Sequence, residues 1–189
     1  MVKQSGLGDN LYVAGRDLSG DVGAIQTIST RATLLDFTGI DKSAVERQHG
    51  VRDGELTFNC FFNKAAGQSH LTLSPLPRTD VVTEYFRGTT LGGQAAGISG
   101  KQANYDWVRG PDGSLVGTVN MHSNNYGLEW GQSLTAGKRT DTVATAPASG
   151  VDFVDVTTAF GMSAYLEVFS FTGTSATMTI QDSADNAAW

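Results

Sequence analysis

The residues in this sequence that could do chemistry are few and scattered. The three histidines, His49, His70 and His122, fall in three separate segments. A zinc site needs Cys, His or carboxylate ligands at short fixed spacings, and no pair here has that spacing. No metal and no cofactor is implied. Ser69 and His70 are adjacent, but a Ser-His-Asp triad is defined by geometry rather than adjacency, and no Gly-x-Ser-x-Gly elbow is present. The glycine-rich stretch from Gly88 to Gly100 lacks the Gly-Lys-Ser/Thr ending of a phosphate-binding loop. The carboxylate pairs Asp36 with Asp41, and Asp152 with Asp155, would serve acid–base work only in a cleft that raised a pKa. In this polar context they read as solvated turn residues. Tyr105, Trp107, Tyr126 and Trp130 could stack on sugars, although core or subunit packing uses the same residue types. The single cysteine, Cys60, excludes an intrachain disulfide. Set among Leu56, Phe58 and Phe62, it reads as a small buried apolar residue. The expectation is a chain that is not an enzyme.

The composition supports a scaffold rather than a catalyst. Charged residues make up 17% of the 189, against about 25% in an ordinary globular domain. Thr, Ser, Gly, Asn and Gln take their place, and Thr suits strands because its branched Cβ fits a pleated surface. The length fits one domain, or one domain with a small appendage. The net charge is −6 and the pI about 4.9. An acidic chain is a poor binder of nucleic acid, which calls for a basic face. It is equally poor on an anionic membrane, yet well suited to facing DNA without sticking to it. No apolar run approaches the roughly 18 residues of a membrane span. The segment Met1–Gly6 lacks the apolar stretch of a signal peptide, so the chain is expected to be made and left in a cytoplasm.

The elements that would carry these residues are mostly strands. Met1 to Gly8 reads as an arm, Asn10–Ala14 as a short strand, and Gly15–Gly20 as a turn. Val22–Ile28 and Ala32–Thr38 read as two strands, and Gly39–Arg47 as a loop. Gly50-Val51-Arg52-Asp53-Gly54 carries a strong turn signal, because Asp-Gly tolerates positive φ. Glu55–Phe62 is the clearest strand, with Leu56, Phe58, Cys60 and Phe62 on one face and Phe61 out of place on the polar one. Ala65–Ser74 is the best helix candidate, stopped by Pro75 and Pro77 and weakened by Gly67. Asp80–Arg87 is a strand, Gly88–Gly100 a long loop, and Lys101–Val108 with Gly113–His122 a hairpin turned by Gly110-Pro111-Asp112-Gly113. Ser133–Gly150 lacks periodicity and reads as a long excursion. Ser163–Phe171 and Ser175–Gln181 read as two strands joined by Thr172-Gly173-Thr174. The chain stops at Trp189 soon after a strand, which suggests a further module beyond it.

Three phrases in this order are familiar. They are Leu34-Leu35-Asp36-Phe37-Thr38-Gly39-Ile40, then Ala44-Val45-Glu46-Arg47, then Gly50-Val51-Arg52-Asp53-Gly54-Glu55-Leu56-Thr57-Phe58-Asn59. With the short helix that follows, this order resembles the tail tube (major tail) proteins of long-tailed bacteriophages. Tyr126-Gly127-Leu128-Glu129-Trp130-Gly131 is similar to members from phages of actinobacteria. The likeness covers roughly residues 10 to 140.

The resemblance implies a mainly β fold: a two-sheet β-sandwich or partial barrel with one short helix and long loops, completed by oligomerisation. It divides the chain into a tail-tube-like domain over 1–148 and C-terminal strands over 149–189, which either complete the core sheet or begin an appended β-sandwich module. It implies a virion protein, assembled in a host cytoplasm, whose partners are further copies of itself and other tail proteins. Six copies would form a ring and rings would stack into a tube, with DNA passing through the lumen unbound. By analogy, Asp36, Arg47, Arg52, Asp53 and Gly54 would lie at subunit or ring contacts. Two other readings compete: a capsid decoration protein, also β-rich and oligomeric, and a carbohydrate-binding β-sandwich module using Trp107 and Trp130.

Overall fold

The structure is a computed structural model that describes residues 5–143, 151 and 161–181. The start of the N-terminal arm, the end of the 133–150 excursion, the Asp152/Asp155 pair and the C-terminal residues to Trp189 lie outside the described residues. The elements are β1 (Asn10–Val13), β2 (Arg16–Asp17), β3 (Val22–Asp36), β4 (Arg47–Phe61), α1 (Ser69–Leu73), β5 (Val81–Phe86), β6 (Gln94–Gln102), β7 (Asp106–Arg109), β8 (Leu115–Ser123) and β9 (Glu129–Gln132). All strand pairs are antiparallel. The expected mainly β class holds. The expected two sheets are one hydrogen-bonded sheet of nine strands in the order β2-β1-β5-β6-β8-β4-β3, with β7 attached to β8 and β9 to β6, and it does not close into a barrel.

The sheet covers a core because β6 and β8 change partners along their length. One edge of β6 pairs with β5; its other edge is shared between β9 at Gln94–Gly97 and β8 at Gly100–Gln102. The β8 strand gives Leu115–Thr118 to β7 and Met121–Ser123 to β6, with β4 along its opposite edge. The part built on β1, β5 and β6 therefore packs with the part built on β4 and β8. Leu11, Val13, Val81, Ala96 and Ile98 meet Leu56, Phe58, Cys60, Val119 and Met121, with Leu18, Leu73 and Leu128 filling in. Burying such side chains is the main favourable term in folding. The Cys60 thiol sits in this core, and burial, with the Asp21 charge second, pushes it up to about 11. It is not a nucleophile at neutral pH.

Three local expectations are revised. Val22–Ile28 and Ala32–Thr38 are parts of one strand, β3, with register shifts between Val22 and Ala24, Ile25 and Thr27, and Ala32 and Leu34. The Gly50–Gly54 turn does not exist: these residues continue β4, and the chain reverses over 37–46 instead. Asp-Gly permits positive φ without requiring it, and Gly54 does not adopt it. Its missing side chain makes room for Leu128, whose backbone nitrogen would lie 2.2 Å from a Cβ. Gly88–Gly100 is a loop only at first, because Gln94–Gly100 belongs to β6. By contrast the Gly110–Gly113 turn forms as expected, closed by the Gly113 N–H donating to the Gly110 carbonyl at 3.1 Å.

The helix is shorter than the Ala65–Ser74 expectation. Gly67 stands at φ 75°, outside helical space, so α1 starts only at Ser69. The Asp21 carboxylate, buried in front of it, accepts the Ser69 N–H at 2.9 Å and the Asn63 side-chain N–H at 2.9 Å. It thereby satisfies a donor that a helix start leaves unpaired. Asp21→Ala strands both donors and is expected to cost about 2–3 kcal/mol, read as a lower urea midpoint at unchanged slope.

Candidate functional site

The feature of this fold that a lone domain does not explain is the outer half of the β3–β4 hairpin. From Glu55 to Phe61, β4 is flanked by β3 on one side and β8 on the other. From Arg47 to Gly54 it pairs with β3 alone, opposite Thr30–Asp36. The hairpin therefore leaves the body as a two-stranded ribbon. At about 3.4 Å per residue the ribbon is on the order of 20 Å long before its tip.

Both faces of this arm meet solvent. Leu34 is 56% exposed, Phe37 57% and Val51 79%, and Ile40 at the tip is fully exposed. A two-stranded ribbon is marginal alone in water, and contiguous exposed apolar side chains mark an interaction surface. The tip is nonetheless ordered by local bonds. The Asp36 carboxylate accepts from the Thr38 N–H at 2.9 Å and from its hydroxyl at 2.5 Å. These bonds hold the Asp36 carboxyl below its ordinary range. The Thr38 hydroxyl in turn accepts the Glu46 N–H at 3.0 Å, the Phe37 N–H donates to the Glu46 carbonyl at 3.0 Å, and Lys42 pairs with Glu46 at 3.3 Å.

The root of the arm is clamped to the body. Arg31 bonds Glu55 and lies 4.0 Å from Asp53. Arg52 pairs with Glu129 at 3.4 Å, the Thr30 hydroxyl donates to the Leu128 carbonyl at 2.8 Å, and the Gly54 N–H donates to the Ser123 hydroxyl at 2.9 Å. Exposed ion pairs of this kind add little stability. Their effect here is positional: they tie the root of the arm to Glu129, Leu128 and Ser123 of the body.

Of the five contact residues expected from sequence, Asp36 and Arg47 face each other on the outermost rung, while Arg52, Asp53 and Gly54 form the root. The apolar row of Leu34, Phe37, Ile40, Val45 and Val51 was not singled out residue by residue. Its signal was the lack of clean alternation, with Leu34 and Leu35 adjacent and no face reserved for a core.

The aromatics do not form one platform. Tyr105 and Trp107 pack on each other at 5.4 Å between ring centres, and on His70 and Phe62 beside α1. Trp130, 51% exposed, stands against Tyr85 at 6.3 Å on β5. Among the described residues no group of three or more His, Cys, Asp or Glu could hold a metal ion, and no helix is long and apolar enough to cross a membrane.

This architecture has counterparts among solved structures. A chain in the virion of a native gene transfer agent particle superposes with a TM-score of 0.54 at 15% identity, over 68% of this chain and 98% of that one. The fold is shared with a virion protein. A chain from the tail of an empty gene transfer agent particle, determined by helical refinement with C6 symmetry, gives 0.52 at 15% identity, over 69% and 98%. No family model matches the sequence, and no curated protein matches it.

Proposed function

We propose that this chain is a structural protein of a phage-like tail, whose copies form six-fold rings that stack into a tube. The observation that carries this reading is the arm: a clamped, ordered ribbon with apolar side chains on both faces and nothing among the described residues to cover them. A second copy is the natural cover. The outer edge of β3 supports the same reading, because β3 ends the sheet and its second edge has no partner among the described residues. Long open edges are a liability unless another chain pairs with them. Repeated head-to-tail contacts close into a ring when the rotation fits and otherwise extend as a filament. The similar fold in a C6 tail supports a rotation of one sixth. The net charge of −6 suits a lumen that lets DNA pass without binding it.

The test is negative-stain microscopy with light scattering across a concentration series. Rings or tubes with six-fold projections, about 100 Å across for several domains of this size around a hole, are the expected result. A monomer at every concentration overturns the reading. Trimers would transfer the chain to capsid decoration, and glycan binding that vanishes in Trp130→Ala would transfer it to carbohydrate recognition.

A further inference from the structure

The two runs beyond residue 160 carry a strand pattern and pair with no strand. Among the described residues, no backbone–backbone hydrogen bond joins 162–181 to the sheet. The alternation is still used. Tyr165, Glu167 and Phe169 are half-buried, while Leu166 and Val168 between them are 58% and 48% exposed.

The inward side chains land on one row of the sheet. Gly97 of β6 pairs with Glu84 of β5, and Glu84 pairs with Tyr12 of β1. The Tyr165 ring covers Gly97, where a Cβ would come within 2.3 Å of it. The Phe169 ring meets Tyr12 edge-on at 4.9 Å. Glu167 lies between them and accepts the Gly15 N–H in the β1–β2 turn. Gly15 has no side chain to obstruct this: a Cβ there would stand 2.5 Å from the Val168 carbonyl oxygen. The segment thus crosses β6, β5 and β1 instead of extending an edge, so an alternating sequence yields no ladder. The seat is built into the sheet, with two glycines hollowed to receive it.

At its centre are two carboxyl groups and, among the described residues, no cation paired with either. Glu84 on β5 feels the Glu167 charge, and Tyr12 on β1 is the cross-strand neighbour of Glu84. Asp17 of β2 is paired with Lys138, whose ammonium also lies 5.5 Å from the Phe169 ring. Glu129 of β9 lies near Tyr165. The Gly15 N–H occupies Glu167 Oε2, while Oε1 is buried with no hydrogen-bond partner among the described residues. An ionised carboxylate with a stranded oxygen, beside a second carboxylate, is costly; a proton on the pair removes the cost.

We propose that residues 163–171 are a proton-controlled strap, seated across β1, β5 and β6 while the Glu84–Glu167 pair holds a proton and released when both carboxyls have given theirs to water. The strap is a property of one chain and does not rest on ring assembly. Burial pushes both carboxyls up to about 7, with the Glu167 charge adding to the rise at Glu84 and the Gly15 N–H opposing it at Glu167. The ordinary value is 4.5. The seated form therefore holds more protons than the released form between about 4.5 and 7. Seating is strongest below that window, weakens as the pH rises through it, and is constant above.

Amide hydrogen exchange of Gly15, whose N–H is held by the seated Glu167, corrected for the intrinsic pH dependence and referenced to Leu56–Cys60 in β4, tests this directly. Protection is expected to fall about tenfold or more between pH 5 and 7.5. Protection that does not change with pH overturns the proposal. Glu84→Gln leaves Glu167 to titrate alone and should shrink the fall, while Glu84→Gln with Glu167→Gln should retain protection at pH 7.5; a profile like that of the unmodified chain in either counts against it. Tyr165→Ala should lose protection at every pH; if it does not, the strap is not seated on Gly97. Carboxyl carbon NMR of the unmodified chain gives an independent reading, and titration of both Glu84 and Glu167 near 4.5 also overturns it.

Discussion

Replacing residues 33–51 with Asn-Gly is expected to yield a folded monomer that loses the proposed assembly at every concentration. None of the excised residues belongs to the core. The new ends, Ala32 and Arg52, are already paired across the hairpin, and Asn-Gly supplies the two positive-φ positions of a type I′ turn. The root contacts from Arg31 and Thr30 to Glu55, Asp53 and Leu128 remain. Stability is expected to stay within about 1 kcal/mol, since surface changes seldom do more and a shorter connection costs less entropy to close. Assembly should drop by several orders of magnitude, because the variant removes the exposed apolar row at once. Light scattering and calorimetry on the same samples separate the two effects. Rings that still form show that the arm is not the contact. An unfolded monomer shows that the arm belongs to the fold. Phe37→Asp with Ile40→Asp is expected to give the same loss at full arm length.

The largest expected effect on stability comes from Gly100. This residue pairs with Val81 of β5 on one edge of β6 and with Ser123 of β8 on the other. A Cβ here would lie 1.9 Å from the His122 carbonyl oxygen, 2.7 Å from its carbon and 2.8 Å from the Ser123 Cα. All three are backbone atoms, so no side-chain rotation relieves the clash. The strands must separate at the junction through which the two parts of the sheet enclose the core. Gly100→Val is expected to cost about 4 kcal/mol or more, a large share of the roughly 5–15 kcal/mol that holds a domain together. Urea unfolding checks this. Gly20→Ala is the matched control: its Cβ would meet nothing within 4 Å, and Gly20 is not at positive φ. It should shift the midpoint little. Equal effects at the two positions would show that the close approach at the β6–β8 junction is not real.

Much of the fold was legible in the residues, though unevenly. The alternation of Leu56, Phe58 and Cys60 correctly marked a buried face, and all three are completely buried, whereas Phe62, placed on the same face, lies past the end of β4 and is 42% exposed. The alternation over Asp80–Arg87 did not say which set is buried; the structure buries Val81, Thr83 and Tyr85. The Gly110–Gly113 turn and the short helix before Pro75 followed from residues with few other options. Phe61, out of place on the polar face, hinted at a cover for that face, but among the described residues it stays 52% exposed. The candidate site was legible only in outline. The stretch Leu34–Gly54 drew attention as a contact region, but its division into a clamped root and a projecting tip could not be read, because Arg52 owes its position to Glu129 and Gly54 to Leu128, both far along the chain.

What the sequence determined by itself was local: the β class, the buried face of the clearest strand, the buried thiol and the tight turn. Each is set by the steric preferences of a few neighbouring residues and by period-two patterning, which act within one segment. The tertiary structure decided what those segments do with their faces and edges. The Gly50–Gly54 stretch became strand instead of turn because Leu128 needed the space above Gly54. The 165–169 run became a strap across the sheet instead of a strand within it, because Gly97, Tyr12 and the Gly15 N–H offered its side chains a better seat than any edge offered its backbone. Periodicity states that alternate side chains will be buried. It does not state against what, and that choice belongs to residues distant in sequence.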